Sequence, residues 1–321
     1  MQERLKVMFG YTGFQWLFLF YFYCFGGWCF ESVFVSLKSG KWVNRGFMRG
    51  PFLPLYGTGA IMMLVVSMPF ADNVLLTYFA GVVGATSLEY VTGVAMEALF
   101  KMRYWDYSGR FMNYKGHICL RSSIAWGFFT ILMTRVIHRP IEQMMFSMSE
   151  KALHHLTVIL TVYIVADFTL SFKAALDLRD LMVRLVGVKE ELMRMQKRLD
   201  VLIAFNNDEK EQKRLDRGER RETRLRDLTS GLEQGFSMIK EALLSRPTAY
   251  GESVREEIAE LRGKFSLYLE RETGYGRLLD FYKRDMIRNN PTMRSEEYES
   301  EFEELKEIAN DKADRERKME K

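Results

Sequence analysis

The sequence predicts an all-α protein: a polytopic membrane helix bundle of about five transmembrane helices, followed by a helical, partly coiled-coil cytoplasmic domain. Three features carry that prediction. Long apolar runs recur through the first half, charge rises abruptly after residue 173, and a heptad opens the second half. The expected domains are therefore a transmembrane part, 1–173, and a charged helical tail, 174–321.

Five runs are long enough to cross a hydrocarbon layer of ~30 Å, which takes about 20 helical residues. They cover 14–37, 52–70, 74–100, 118–137 and 152–172. In lipid the backbone must satisfy its own hydrogen bonds, so such runs read as helices. The first run is too long for a signal-peptide core and no small-residue cleavage site follows it, so it is expected to stay as a span. Residues 1–173 carry net charge +6 and residues 174–321 carry −2, against +4 for the whole chain of 321 residues. The positive excess lies beside the apolar runs, which makes the lipid bilayer the expected partner and excludes a nucleic-acid reading.

Basic residues are concentrated in two interhelical loops. Lys38, Lys41, Arg45 and Arg49 follow the first run; Lys101, Arg103, Arg110 and Lys115 follow the third. The positive-inside rule then puts the amino terminus outside and both loops and the tail in the cytoplasm, for a multi-pass protein of the bacterial inner membrane. Glu31 lies 19 residues before Gly50 and Glu97 lies 19 before Gly116, and both intervals contain Trp, Asn and basic residues. This points to a parallel repeat of two helix pairs.

Four acidic residues stand where a bilayer disfavours them, and they are the candidates for a transport or polar pathway: Glu31, Glu89, Glu97 and Asp167. Glu31, Glu97 and Asp167 either face the bundle interior or sit close enough to the surface to be hydrated; Glu89 is deeper by two turns. Glu89, Gly93 and Glu97 share one helix face, with Gly81 and Gly84 upstream suited to close helix packing. The loop arginines either contact lipid headgroups or pair with Glu31 and Glu97.

The tail opens with Leu181, Leu185, Val188, Leu192, Met195, Leu199 and Leu202 at alternating spacings of four and three, the seam of a coiled coil, a homodimer or a helical hairpin. Residues 206–227 are almost wholly charged and read as a solvated helix or linker. Further helical patterns follow, to a break at Arg288-Asn289-Asn290-Pro291 and a last acidic helix from Ser295. Enzyme chemistry is not expected. No G-x-x-x-x-G-K-[ST] loop, Ser-centred elbow or His/Cys cluster with metal spacing is present, so no catalytic residue, metal or cofactor is assigned. Cys24, Cys29 and Cys119 read as small hydrophobes.

Several motifs in order carry a resemblance. They are Trp28-x-x-Glu31; Asn44-Arg45-Gly46-Phe47-x-x-Gly50-Pro51-x-x-Pro54-x-Tyr56-Gly57; Glu89; Trp105-Asp106-Tyr107-Ser108 leading to Asn113-x-x-Gly116; and Trp126-Gly127. Over roughly residues 14–137 the chain resembles the bacterial family labelled putative ABC-transporter type IV (CmpB-like), or putative ABC transporter permease. The resemblance implies a permease-like membrane component that takes its energy from a separate ATPase subunit. Asn44, Arg45, Gly46, Gly50, Pro51, Pro54, Gly57, Trp105, Asp106, Asn113 and Gly116 are the loop and return motif. The alternative is a membrane-anchored scaffold or sensor acting through its coiled-coil tail.

Overall fold

The structure is a computed structural model that describes residues 7–8, 10–204, 225–245, 252–272 and 281–319. Among these, strand is confined to two two-residue ladders, β1 (Val7–Met8) with β2 (Tyr11–Thr12) and β3 (Asn113–Tyr114) with β4 (Ile118–Cys119). The helices are α1 (Gly13–Ser39), α2 (Pro54–Ser67), α3 (Val74–Phe100), α4 (Leu120–Leu132), α5 (His138–Ser147), α6 (Glu150–Ala204), α7 (Leu225–Ser245), α8 (Glu252–Glu272), α9 (Phe281–Asn289) and α10 (Glu299–Met319). They divide into two compact units: 1–179 with 281–297, and 180–280 with 298–321. The first unit extends past the boundary expected at 173 and takes in a late segment of the tail.

In the first unit, α1 begins at a capping box. The Thr12 hydroxyl accepts from the Gln15 N–H and the Gln15 side chain accepts from the Thr12 N–H, so two orphan donors are satisfied where the chain leaves β2. The helix ends at Gly40, whose φ of 65° is the left-handed cap that glycine adopts without a Cβ penalty. The Asn73 side chain caps α3 by accepting from the N–H groups of Leu75 and Leu76.

α1, α3 and α6 are long and apolar enough to cross a membrane. At the expected second and fourth spans the helices are shorter. α2 has 14 residues and a 3₁₀ turn at Met68–Phe70; α4 has 13 and runs through a π-helical turn, Met133–Ile137, into α5. The reason for the short α2 lies in the loop before it. Residues 40–53 fold back along α1, and the Leu53 N–H donates to the Cys24 carbonyl at 3.0 Å. α2 thus starts beside the middle of α1 rather than at its end.

Helix contacts follow small residues. Thr77, Gly81, Ala85, Glu89 and Gly93 form the buried stripe of α3, at intervals of four. Gly81 lies against Thr130, and Gly127 of α4 against Tyr78 and Val82, so α3 and α4 approach closely, as membrane helices with small interfaces do. One core cluster gathers Tyr11, Phe18, Leu19, Tyr23, Met63, Leu64 and Met133; a second holds Tyr21, Cys24, Met48, Phe52 and Ile164. Outside, Phe30, Phe34 and Leu37 of α1, Val91 and Leu99 of α3, and Ile159, Val162 and Leu170 of α6 are exposed. These exposed apolar side chains lie on the three helices long and apolar enough to cross a membrane.

The second unit is helical with its own core. Leu181, Leu185, Leu192, Met195 and Leu199 are buried within the chain, while Val188 and Leu202 are half-buried. Leu228, Leu232 and Ile239 of α7, Ile258, Leu261 and Phe265 of α8, and Phe302 and Leu305 of α10 supply the other buried apolar side chains. Buried Lys189 pairs with Glu301 at 3.0 Å and Glu304 at 2.9 Å, tying α6 to α10. The heptad side chains are therefore buried by the chain itself, as the helical-hairpin alternative expected. The charged stretch expected at 206–227 lies, up to residue 224, outside the described residues.

Candidate functional site: two folded loops and their acidic anchors

Both loops of the first unit fold back into the bundle, and the four acidic candidates hold them there. Arg45, in the first loop, reaches Glu31 on α1 at 3.4 Å, and the Tyr56 hydroxyl at the start of α2 donates to the other Glu31 oxygen at 2.7 Å. Glu31 is thus paired locally with Arg45. Asn44 accepts from the Trp28 indole at 2.6 Å and donates to the Arg49 carbonyl at 2.6 Å, closing the loop on itself. Asp167 of α6 accepts from the Gly50 N–H at 2.8 Å. Gly46, at φ 140°, holds a backbone conformation that L side chains rarely adopt and packs against Leu53. Pro51 and Pro54 flank the return, and Pro54 opens α2, where a missing N–H costs nothing. Gly57 packs against Cys24 and Phe20, close enough that a side chain would separate α1 from α2.

The second loop, 101–119, repeats the device with different groups. Arg103 donates to Glu97 at 2.7 Å, His117 Nε2 lies 3.1 Å from the other Glu97 oxygen, and the Trp105 indole donates to the His117 carbonyl. Asp106 accepts from the Ser108 hydroxyl and N–H, and Asn113 donates to the carbonyls of Ser108 and Arg110. Burial alone pushes the Asp106 carboxyl up. The Ser108 hydrogen bonds and the Arg294 and Arg103 charges outweigh it and hold the group below the ordinary range. Gly116, at φ 72°, faces Asp106 and Ser108 where a Cβ would crowd both.

Glu89 lies eleven residues before the end of α3, about 16 Å along the axis. It accepts from the Tyr107 hydroxyl at 3.0 Å, the Ser122 hydroxyl at 3.3 Å and the Trp126 indole at 2.9 Å. Burial raises the Tyr107 phenol and the Glu89 charge raises it further, which keeps it a donor. A buried carboxylate with three donors is a satisfied anchor, and it pins the second loop between α3 and α4.

Beside this loop lies a polar cavity of about 470 Å³, lined by Tyr90, Glu97, Arg103, Asn113, His117 and Glu296, among others. Among the described residues no group of three or more His, Cys, Asp or Glu is placed to hold a metal ion. Cys24 and Cys119 are buried and Cys29 half-buried, all as free thiols.

Sequence reasoning found the four carboxylates but missed several partners. Tyr56, Tyr107 and Trp126 stood inside the motif without a role, because a phenol or indole gives no sign in sequence of which distant acid it meets. His117 was visible only as a poor metal candidate. Asn290 was visible only as part of a helix break and Glu296 only as part of a last acidic helix, which begins at Glu299 rather than Ser295; Thr292 and Arg294 had no role. In the structure they reach Arg45, Asp106 and Arg103 of the first unit.

No curated protein and no solved structure matches the chain. Residues 18–172, which contain both folded loops and all four anchoring acids, match the model of a family described as Putative ABC-transporter type IV. Through this region the chain is similar to that family.

Proposed function

We propose that the chain is the membrane-embedded, permease-like subunit of a transporter that obtains its energy from a separate ATPase subunit and performs no catalysis itself. On this reading all five apolar segments lie in a bacterial inner membrane, the amino terminus is outside, and both basic loops and the second unit are cytoplasmic. The short α2 and α4 then complete the crossing together with the folded loops. The single observation that supports transport most is Glu89. An acidic group deep in an apolar helix, held by a loop that folds in beside a polar cavity, is the arrangement expected along a substrate path. Glu31, Glu97 and Asp167 would keep the loops shaped around that path.

Affinity purification of the full chain from native membranes tests the partner: a P-loop ATPase should co-purify. Solute accumulation in cells carrying wild type, a deletion or Glu89→Gln tests the path. Across a solute panel, accumulation should fall in both altered strains; equal accumulation in all three would refute transport. A scaffold acting through the second unit is the competing reading, favoured by that unit's separate core. It expects Glu89→Gln to be neutral and removal of the tail to abolish partner capture.

A further inference from the structure

We propose that residues 282–297 form a displaceable strap, and that the two folded loops form the groove in which it docks. The strap follows a hundred residues that belong to the second unit, yet it is counted with the first. Its backbone forms an antiparallel bridge with the second loop: Arg103 N–H donates to the Arg294 carbonyl at 2.7 Å and Arg294 N–H to the Arg103 carbonyl at 3.0 Å. Ser295 donates to the Lys101 carbonyl at 2.6 Å and Thr292 to the Tyr104 carbonyl at 3.2 Å. On the other loop, Asn290 donates to the Gly46 carbonyl at 2.9 Å and accepts from Arg45 at 2.8 Å, and a second Arg45 nitrogen reaches Thr292 at 3.1 Å. One short segment therefore stitches both loops together.

The charges match along its length. Asp285 meets Arg49, Arg294 meets Asp106, Glu296 meets Arg103, and Glu297 meets Lys101. The groove thus selects a segment that is helical to Asn289 and turns beyond it, recognised by one two-bond backbone bridge and by ion pairs of both signs. The occupant is the chain's own segment.

Displacement is feasible because the two arginines that hold the strap have partners of their own. Arg45 and Arg103, its two main contacts, are each held independently by a helix carboxylate, Glu31 and Glu97. If the strap leaves, both guanidiniums still have a helix carboxylate as partner. Glu296 also lines the polar cavity, so departure removes part of its wall. Both ends of the strap continue by chain into segments of the second unit, which gives that unit a covalent handle on the loops. The inference holds whatever the bundle carries, since it concerns closure of the loops alone.

Hydrogen exchange on the full-length protein in lipid nanodiscs tests it. The amides of Arg103 and Arg294 should exchange together, about 100-fold faster than those of central α3, and faster again when salt screens the four charge pairs. Asn290→Ala should speed exchange across 101–108 and 290–297 by about tenfold while leaving α1 and α3 unchanged. Glu297→Lys should have a smaller effect of the same kind, and adding Lys101→Glu should restore protection. Exchange of Arg103 and Arg294 only together with the α3 core would make the strap a fixed part of the fold and overturn the proposal. So would loop exchange that the variants leave unaltered.

Discussion

Arg45 and Asp106 show how much depends on single side chains in the loops. Arg45 donates to Glu31, Asn290 and Thr292, whereas Glu31 still has Tyr56 if its charge is removed. Arg45→Ala should accordingly destabilise the first unit by about 2–3 kcal/mol, and Glu31→Gln by about 1 kcal/mol, in thermal unfolding in detergent. Equal losses would mean that the pair with Glu31 is the whole of Arg45's role. Asp106 predicts an acid dependence. Its folded-state value is held below the ordinary one, so the stability it contributes is present above the unfolded value and lost as the pH falls through the folded value. Asp106→Asn should therefore flatten the loss of stability as the pH falls through and below the ordinary carboxylate range. An acid limb identical to wild type would show that other carboxylates carry it.

The elements are shaped by where glycine permits close approach. Gly116 sits at φ 72° with Asp106 Oδ1 2.6 Å and Ser108 Oγ 2.7 Å from the place of a Cβ. Gly116→Ala should cost about 1–2 kcal/mol from the left-handed backbone alone, with the crowding added, and exchange of the 105–119 amides would register it. Gly127 is tight for a different reason: its backbone is helical and the obstacle is the Tyr78 ring and Val82 of α3. Gly127→Leu should separate α3 from α4, releasing Trp126 from Glu89, and lower the unfolding temperature more than Gly116→Ala does. The 3₁₀ turn after α2 and the π turn after α4 complete helices that the loops have shortened.

At the scale of the whole molecule, the chain builds two units with separate cores, and thermal unfolding should show two transitions. Lys189 provides the marker for the second. Burial lowers the tendency of its ammonium to stay charged, but Glu304 and Glu301 outweigh that and raise it, so the ion pair persists at neutral pH. Lys189→Met would leave two carboxylates facing each other in a partly buried site. The second unit's transition should fall by about 3 kcal/mol while the first is unchanged. A shift of both transitions together would show that the units unfold as one.

The sequence by itself determined the helical class, the apolar segments, the change of character near residue 173 and the positions of the four carboxylates. Each of these is a local property: apolar length, charge density, or one ionisable group in the wrong solvent. It determined the heptad as well, because periodicity marks an apolar face whichever surface covers it. Only the tertiary structure decided that the seam is covered by α7, α8 and α10 of the same chain, that Glu31 pairs with Arg45 and Glu89 with Tyr107, Ser122 and Trp126, and that the loops fold inward rather than turning at the ends of the helices. It alone joined Asn290 and Arg294 to loops some 190 to 245 residues away in sequence. The physical reason is that hydrogen bonds and ion pairs choose partners by position in space, and no pattern along the chain encodes which donor a buried carboxylate will meet.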